Sequence, residues 1–189
     1  MIVRIATAVT IVLVGSLASA QQIQVRDFTE DGSATVKDPD APVSLELPQG
    51  WSLFSGHRWG DHETTLQLAD AESGTRVALY YQYPLQKTFQ DARAALHQWI
   101  DMKVRQRRGE GLTDYHVQPG SVHDLMVGGH PAESFVGEFT AAGQPENEFI
   151  LRVLGQTTKA HFFLKMPPGT DFAALLKRLA PLMVTLNIQ

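Results

Sequence analysis

The sequence predicts an α+β fold: an antiparallel β-sheet packed with two main helices, an α/β/α-type sandwich. Three observations predict it. Short alternating apolar runs are divided by Gly and Pro turns, a long amphipathic segment lies in mid-chain, and a leucine-rich one closes the chain.

The first segment reads as an export signal. Arg4 is followed by the apolar stretch Ile5 to Leu17 and by Ala18-Ser19-Ala20, the small residues a signal peptidase requires, so residues 1–20 are expected to be a cleavable signal peptide. A spanning helix is the competing reading, but Thr7, Thr10, Gly15, Ser16 and Ser19 interrupt the run. No cysteine follows to carry a lipid, so no stable membrane anchor is expected after cleavage, and the destination is the periplasm or the medium. Residues 21–42 are expected as a loose lead-in, because Asp31 to Pro42 is rich in Asp, Gly, Ser and Pro. Residues 43–189 then form a single domain.

Within that domain Val43, Leu45 and Leu47 alternate with polar neighbours before Pro48-Gln49-Gly50, a strand and turn after which Trp51 returns to the core. Thr64 to Ala69 and Arg76 to Tyr83 form a hairpin around Glu72-Ser73-Gly74, and Pro84 stops it. A helix over Phe89 to Arg108 follows, since Phe89, Ala92, Leu96, Ile100 and Val104 recur at spacings of three and four with Trp99 beside them. Thr88 with Asp91 resembles a capping box. Extended segments come next around Asp114 to Gln118, Val122 to Val127, Ala132 to Thr140, Glu148 to Leu154 and Lys159 to Met166. The last helix starts near Thr170-Asp171, with Phe172, Leu175, Leu176 and Leu179 on one face and Pro181 ending or kinking it.

This order of parts, with Leu45-Glu46-Leu47-Pro48-Gln49-Gly50-Trp51 and Val127-Gly128-Gly129-His130-Pro131-Ala132 at its turns, resembles the PsbP-like family, which includes the bacterial DcrB-like proteins and the nuclear import factor Mog. The resemblance covers Val43 to Ile188. It implies an antiparallel sheet between helices and an accessory or binding role in exported or membrane-associated assemblies. No functional residues transfer from it.

The chemistry-bearing residues define function more by exclusion. With no cysteine there are no disulfides, thiolate metal sites or cysteine nucleophiles, and a net charge of −4 argues against nucleic acid as a partner. Gly-x-Ser-x-Gly, phosphate-loop and dinucleotide patterns are missing; Gly109-x-Gly111 follows a helix and reads as its stop, so no cofactor is expected. His62-Glu63 has Leu66 where a zinc protease needs its second histidine. His57, Asp61, His62 and Glu63 could still gather on a metal from one exposed loop, with a solvated surface as the plainer reading. Trp59, in the same loop, is expected to fold inward, and an exposed indole that waits with His57 for a partner is the alternative.

If Pro119-Gly120 closes a hairpin, His116 pairs with His123 and offers a second metal candidate; a chance polar pair is the alternative. His97 reads as a surface partner of Asp101. Lys103, Arg105, Arg107 and Arg108 form a candidate anion- or partner-binding patch, although cations also suit a helix C-terminus. Tyr80, Tyr81, Phe162 and Phe163 put aromatic surface on both sheet faces, leaving room for a protein partner, a homodimer contact or a small apolar ligand. The expected function is a non-catalytic exported accessory or binding protein. A metal-assisted hydrolase using the loop histidines and a carrier of a small apolar ligand are the alternatives.

Overall fold

The computed structural model describes residues 24–28, 34–60, 62–85, 89, 91–166 and 169–188, so the expected signal peptide lies outside the described residues. In chain order the elements are β1 (Gln24–Phe28), β2 (Ala34–Lys37), β3 (Ser44–Leu47), β4 (Trp51–Trp59), β5 (Glu63–Asp70), β6 (Arg76–Gln82), α1 (Ala92–Gly109), β7 (His116–Val117), β8 (His123–Val127), β9 (His130–Ala141), β10 (Gln144–Leu154), β11 (Lys159–Met166) and α2 (Phe172–Thr185). The fold is α+β. A large antiparallel sheet runs β4-β5-β6-β11-β10-β9-β7 with β8 also on β9, and β1-β2-β3 form a small second sheet.

Alternation along the strands sorts the core into two clusters. On one face Leu66, Leu79, Phe149, Leu151 and Phe162 meet Val36, Leu45 and Leu47 of the small sheet and Leu175, Leu179 and Leu182 of α2. On the other, Trp99 and Ile100 of α1 meet Tyr115, Phe135, Phe139 and Ile150. The expectation gave the covering to two helices; α2 shares its face with the small sheet. Residues expected as a loose lead-in supply β1 and β2, because Ala34 and Val36 alternate inward.

Both helices begin at an aspartate. Asp91 accepts the Ala94 N–H at 3.0 Å, so it is itself the cap of α1; Thr88 lies outside the described residues. Asp171 accepts from Ala173 and Ala174. Pro181 does not end α2, which continues to Thr185.

Two turn regions decide where side chains point. The predicted pairing of His116 with His123 is corrected: β7 and β8 both pair antiparallel with β9, lying one after the other along its edge. Between them Ser121 replaces the ladder, its hydroxyl oxygen accepting the Val136 N–H at 3.0 Å while donating to the Gln118 carbonyl at 2.8 Å. Pro119 and Gly120 therefore sit in an interruption of one edge strand, since an L-Pro-Gly pair does not carry the twist of a tight hairpin. At Gly128, with φ of 56°, a Cβ would strike the Leu186 carbonyl oxygen, so the turn before β9 requires glycine.

The small sheet is fastened to the large one through Asp38. Its carboxylate accepts from Tyr81 Oη at 2.7 Å and from Arg58 Nη2 at 2.5 Å, and Arg58 Nη1 reaches Asp40 at 2.6 Å. Removing the inner carboxylate takes from Tyr81 and Arg58 an acceptor in a buried place. Asp38→Ala is expected to lower unfolding free energy by about 3 kcal/mol, and Asp38→Asn by clearly less, measured by urea denaturation.

Candidate functional site

The face of the large sheet that carries α1 holds, beside its apolar cluster, a row of polar and charged side chains. Strand register sets Asp124 of β8 beside Glu133 of β9, Glu133 beside Arg152 of β10, and Arg152 beside His161 of β11. The row continues through Tyr80 of β6 and Thr65 of β5 to His57 of β4. It crosses the whole sheet on one face.

α1 covers only part of this row. Trp99 packs on Phe135 at 5.7 Å and on His161 at 5.1 Å between ring centroids. Beyond α1 toward β6 and β5 lies a cleft of about 460 Å³, bordered by Trp99, Lys103, Arg152, Lys159, His161 and Phe163 among others. Arg152 is 5% exposed and His161 8%, yet Arg152 Nε and His161 Nε2 have no hydrogen-bond partner. The Arg152 guanidinium stacks instead on Trp99 at 5.0 Å and Phe89 at 5.7 Å. Lys103 Nζ lies 5.0 Å from the centroid of Phe163.

Burial and mutual repulsion shape the charges here. Burial holds Arg152 down to about 10, against the pull of Glu133, so it remains a cation near neutrality. Lys159 is lowered by burial and by Arg152, and Lys103 by burial and by Arg107. His161 falls well below its ordinary 6.5, through burial first and then Arg152, Lys159 and Lys103, and is neutral. The residues bordering the cleft include these three cations and no carboxylate. A larger cavity of about 670 Å³ lies by Arg76, Lys165 and Leu175, but Arg107 and Glu148 there are bound to each other at 2.5 Å.

The residues singled out from sequence are dispersed. Of the basic cluster, Lys103 enters the cleft, Arg107 bridges Glu148 and Glu110, Arg108 donates to the Tyr115 carbonyl at 2.8 Å, and Arg105 is exposed. His57 is on β4 and His62 in the turn after it; Asp61 lies outside the described residues. Trp59 does not fold inward: it is 58% exposed with His57 edge-on at 4.0 Å. A register shift between Leu53 and Ser55 resets the alternation and aligns Ser55, His57 and Trp59 with the partly exposed residues of β5. His116 Nε2 meets Glu138 at 3.2 Å, and His123 stands opposite Ser134, about 13 Å away along β9.

His97 is corrected too, for its Nδ1 lies 2.6 Å from Glu133 rather than joining Asp101. Sequence reasoning passed over Arg152, His161 and Glu133. The available signal was a charged or polar residue in each of three apolar strands, but only register shows that they align.

Comparison with solved structures places this geometry. The chain superposes on the solution structure of the cyanobacterial PsbP (CyanoP) of Synechocystis with a TM-score of 0.57, covering 93% of this chain and 98% of that one at 8% identity. The fold is PsbP-like. A Bacteroides thetaiotaomicron protein matches this PsbP-like fold at a TM-score of 0.52 and 12% identity, over 82% of this chain and 48% of that longer one. At these identities the likeness concerns fold alone. No protein-family model and no curated protein matches the chain. Among the described residues no helix is long and apolar enough to cross a membrane.

The buried imidazole gives a pH signature. An unfolded chain protonates His161 near 6.5, whereas the folded protein keeps it neutral, so stability is lost as pH falls below that value. Glu133 works in the opposite sense, because burial raises its folded value. His161→Gln is therefore expected to remove a slope of about 1.4 kcal/mol per pH unit. The check is the difference between wild-type and variant unfolding free energies at pH 7, 6 and 5.

Proposed function

We propose that the protein is a non-catalytic binding protein, exported by its N-terminal signal, that takes an amphipathic organic anion into the cleft beside α1. One observation carries this reading: Arg152 and His161 present unpartnered buried nitrogens in a cleft with three cations and no carboxylate. A buried donor without an acceptor is costly unless something supplies one. An anionic headgroup would accept from Arg152 and lie near Lys103 and Lys159, while Trp99 and Phe163 would shield an apolar body. This refines the alternative reading, a carrier of a small apolar ligand, by giving that ligand a charged end. It is also compatible with an accessory role in an envelope assembly.

Decanoate and decanol separate the charge from the apolar body. Calorimetry is expected to show one decanoate per chain and at least tenfold weaker binding of decanol. Arg152→Met, checked for folding by circular dichroism, should abolish that preference. Equal affinity for acid and alcohol in the wild type, or no saturable site for either, overturns the reading.

A further inference from the structure

At the other end of the polar row, His97 of α1, Asp124 of β8 and Glu133 of β9 each offer a ligand atom, and all of these atoms lie within 4.8 Å of one another. Asp124 and Glu133 are direct cross-strand partners, so their side chains share one face. Glu133 is 0% exposed. His97 Nδ1 approaches its Oε1 to 2.6 Å, yet neither Glu133 oxygen has a well-directed hydrogen bond. A buried carboxylate and an imidazole nitrogen across so short a gap present two donor atoms that one cation can address together.

We infer that His97, Asp124 and Glu133 form a binding site for a divalent transition-metal ion. One imidazole nitrogen and two carboxylate oxygens suit a zinc-type ion, and three protein ligands leave a position open for water or an exogenous ligand. That position faces solvent, because His97 and Asp124 are exposed while Glu133 forms the floor. The short His97 to Glu133 contact opens by a rotation of the exposed ring when the ion enters.

The neighbouring charges constrain the site without closing it. Arg93 Nη1 lies 3.1 Å from Asp124 Oδ1 and also donates to the Ala132 carbonyl, leaving the second Asp124 oxygen for the ion. Arg152 stands across the strand from Glu133, and its charge sets the affinity below that of a closed structural zinc site. These ligands are distinct from His57, Asp61, His62, His116 and His123, the set that sequence suggested. They are also distinct from the residues bordering the cleft, so this inference stands independently of the anion reading.

The test uses the full chain stripped by chelator and titrated with zinc, followed by calorimetry, and with cobalt, followed by visible absorption. One equivalent is expected, with the absorption bands of a low-coordinate cobalt site. His97→Ala and Asp124→Asn, both at exposed positions, should each weaken zinc at least tenfold, while His57→Ala, His62→Ala and His116→Ala bind as the wild type does. Zinc should also raise the melting temperature of the wild type and leave that of His97→Ala unchanged. Unaltered affinity in His97→Ala, or no stoichiometric binding by the folded wild type, overturns the inference.

Discussion

Strands β9 and β10 are buried on both faces, and most of the architecture follows from that constraint. Residues 132–137 and 148–154 form nearly continuous buried runs, so each side of the sheet must be covered by another layer. α1 meets one side through Trp99 and Ile100; α2 and the small sheet meet the other. The cover beneath is matched closely enough that Gly137 has Tyr115 lying where a Cβ would be. Tyr115 in turn donates to Glu148, which Arg107 also holds, so the C-terminal end of α1 is tied to β10 by a part-buried ion pair.

Because α1 is a single helix across a wide sheet, the cover on its side is incomplete. Under the helix, Glu133, Arg152 and His161 are withdrawn from water; past it, Thr65, Tyr80 and His57 are partly or fully open. The buried members find aromatic rings more readily than hydrogen-bond partners, as the stacking of Arg152 on Trp99 shows. Aromatic faces accept a guanidinium at modest desolvation and leave its edge available. A polar row with one protected end and one open end results from this partial coverage.

Much of the fold was legible in the sequence, and its gaps have identifiable causes. The helices and the strands from β5 onward show clear periodicity, so their existence and order could be read from apolar spacing alone. β4 was obscured because its register shift breaks the alternation after Leu53. β2 was obscured by the Asp, Gly, Ser and Pro around it, although Ala34 and Val36 carry a short inward pattern. The His116 and His123 reading failed because Ser121 can stand in for a backbone group, a substitution that residue order does not reveal.

The sequence by itself determined the α+β class, the positions of both helices, the absence of thiol chemistry and the acidic balance of charge. These depend on composition and local period, which each segment carries without its neighbours. Tertiary structure alone decided that Asp124, Glu133, Arg152 and His161 form one row, that Lys103 turns to the cleft while Arg107 turns to Glu148, and that His97 meets Glu133. Those facts depend on strand register and on the placement of α1, and a shift of one residue in register would send every such side chain to the opposite face.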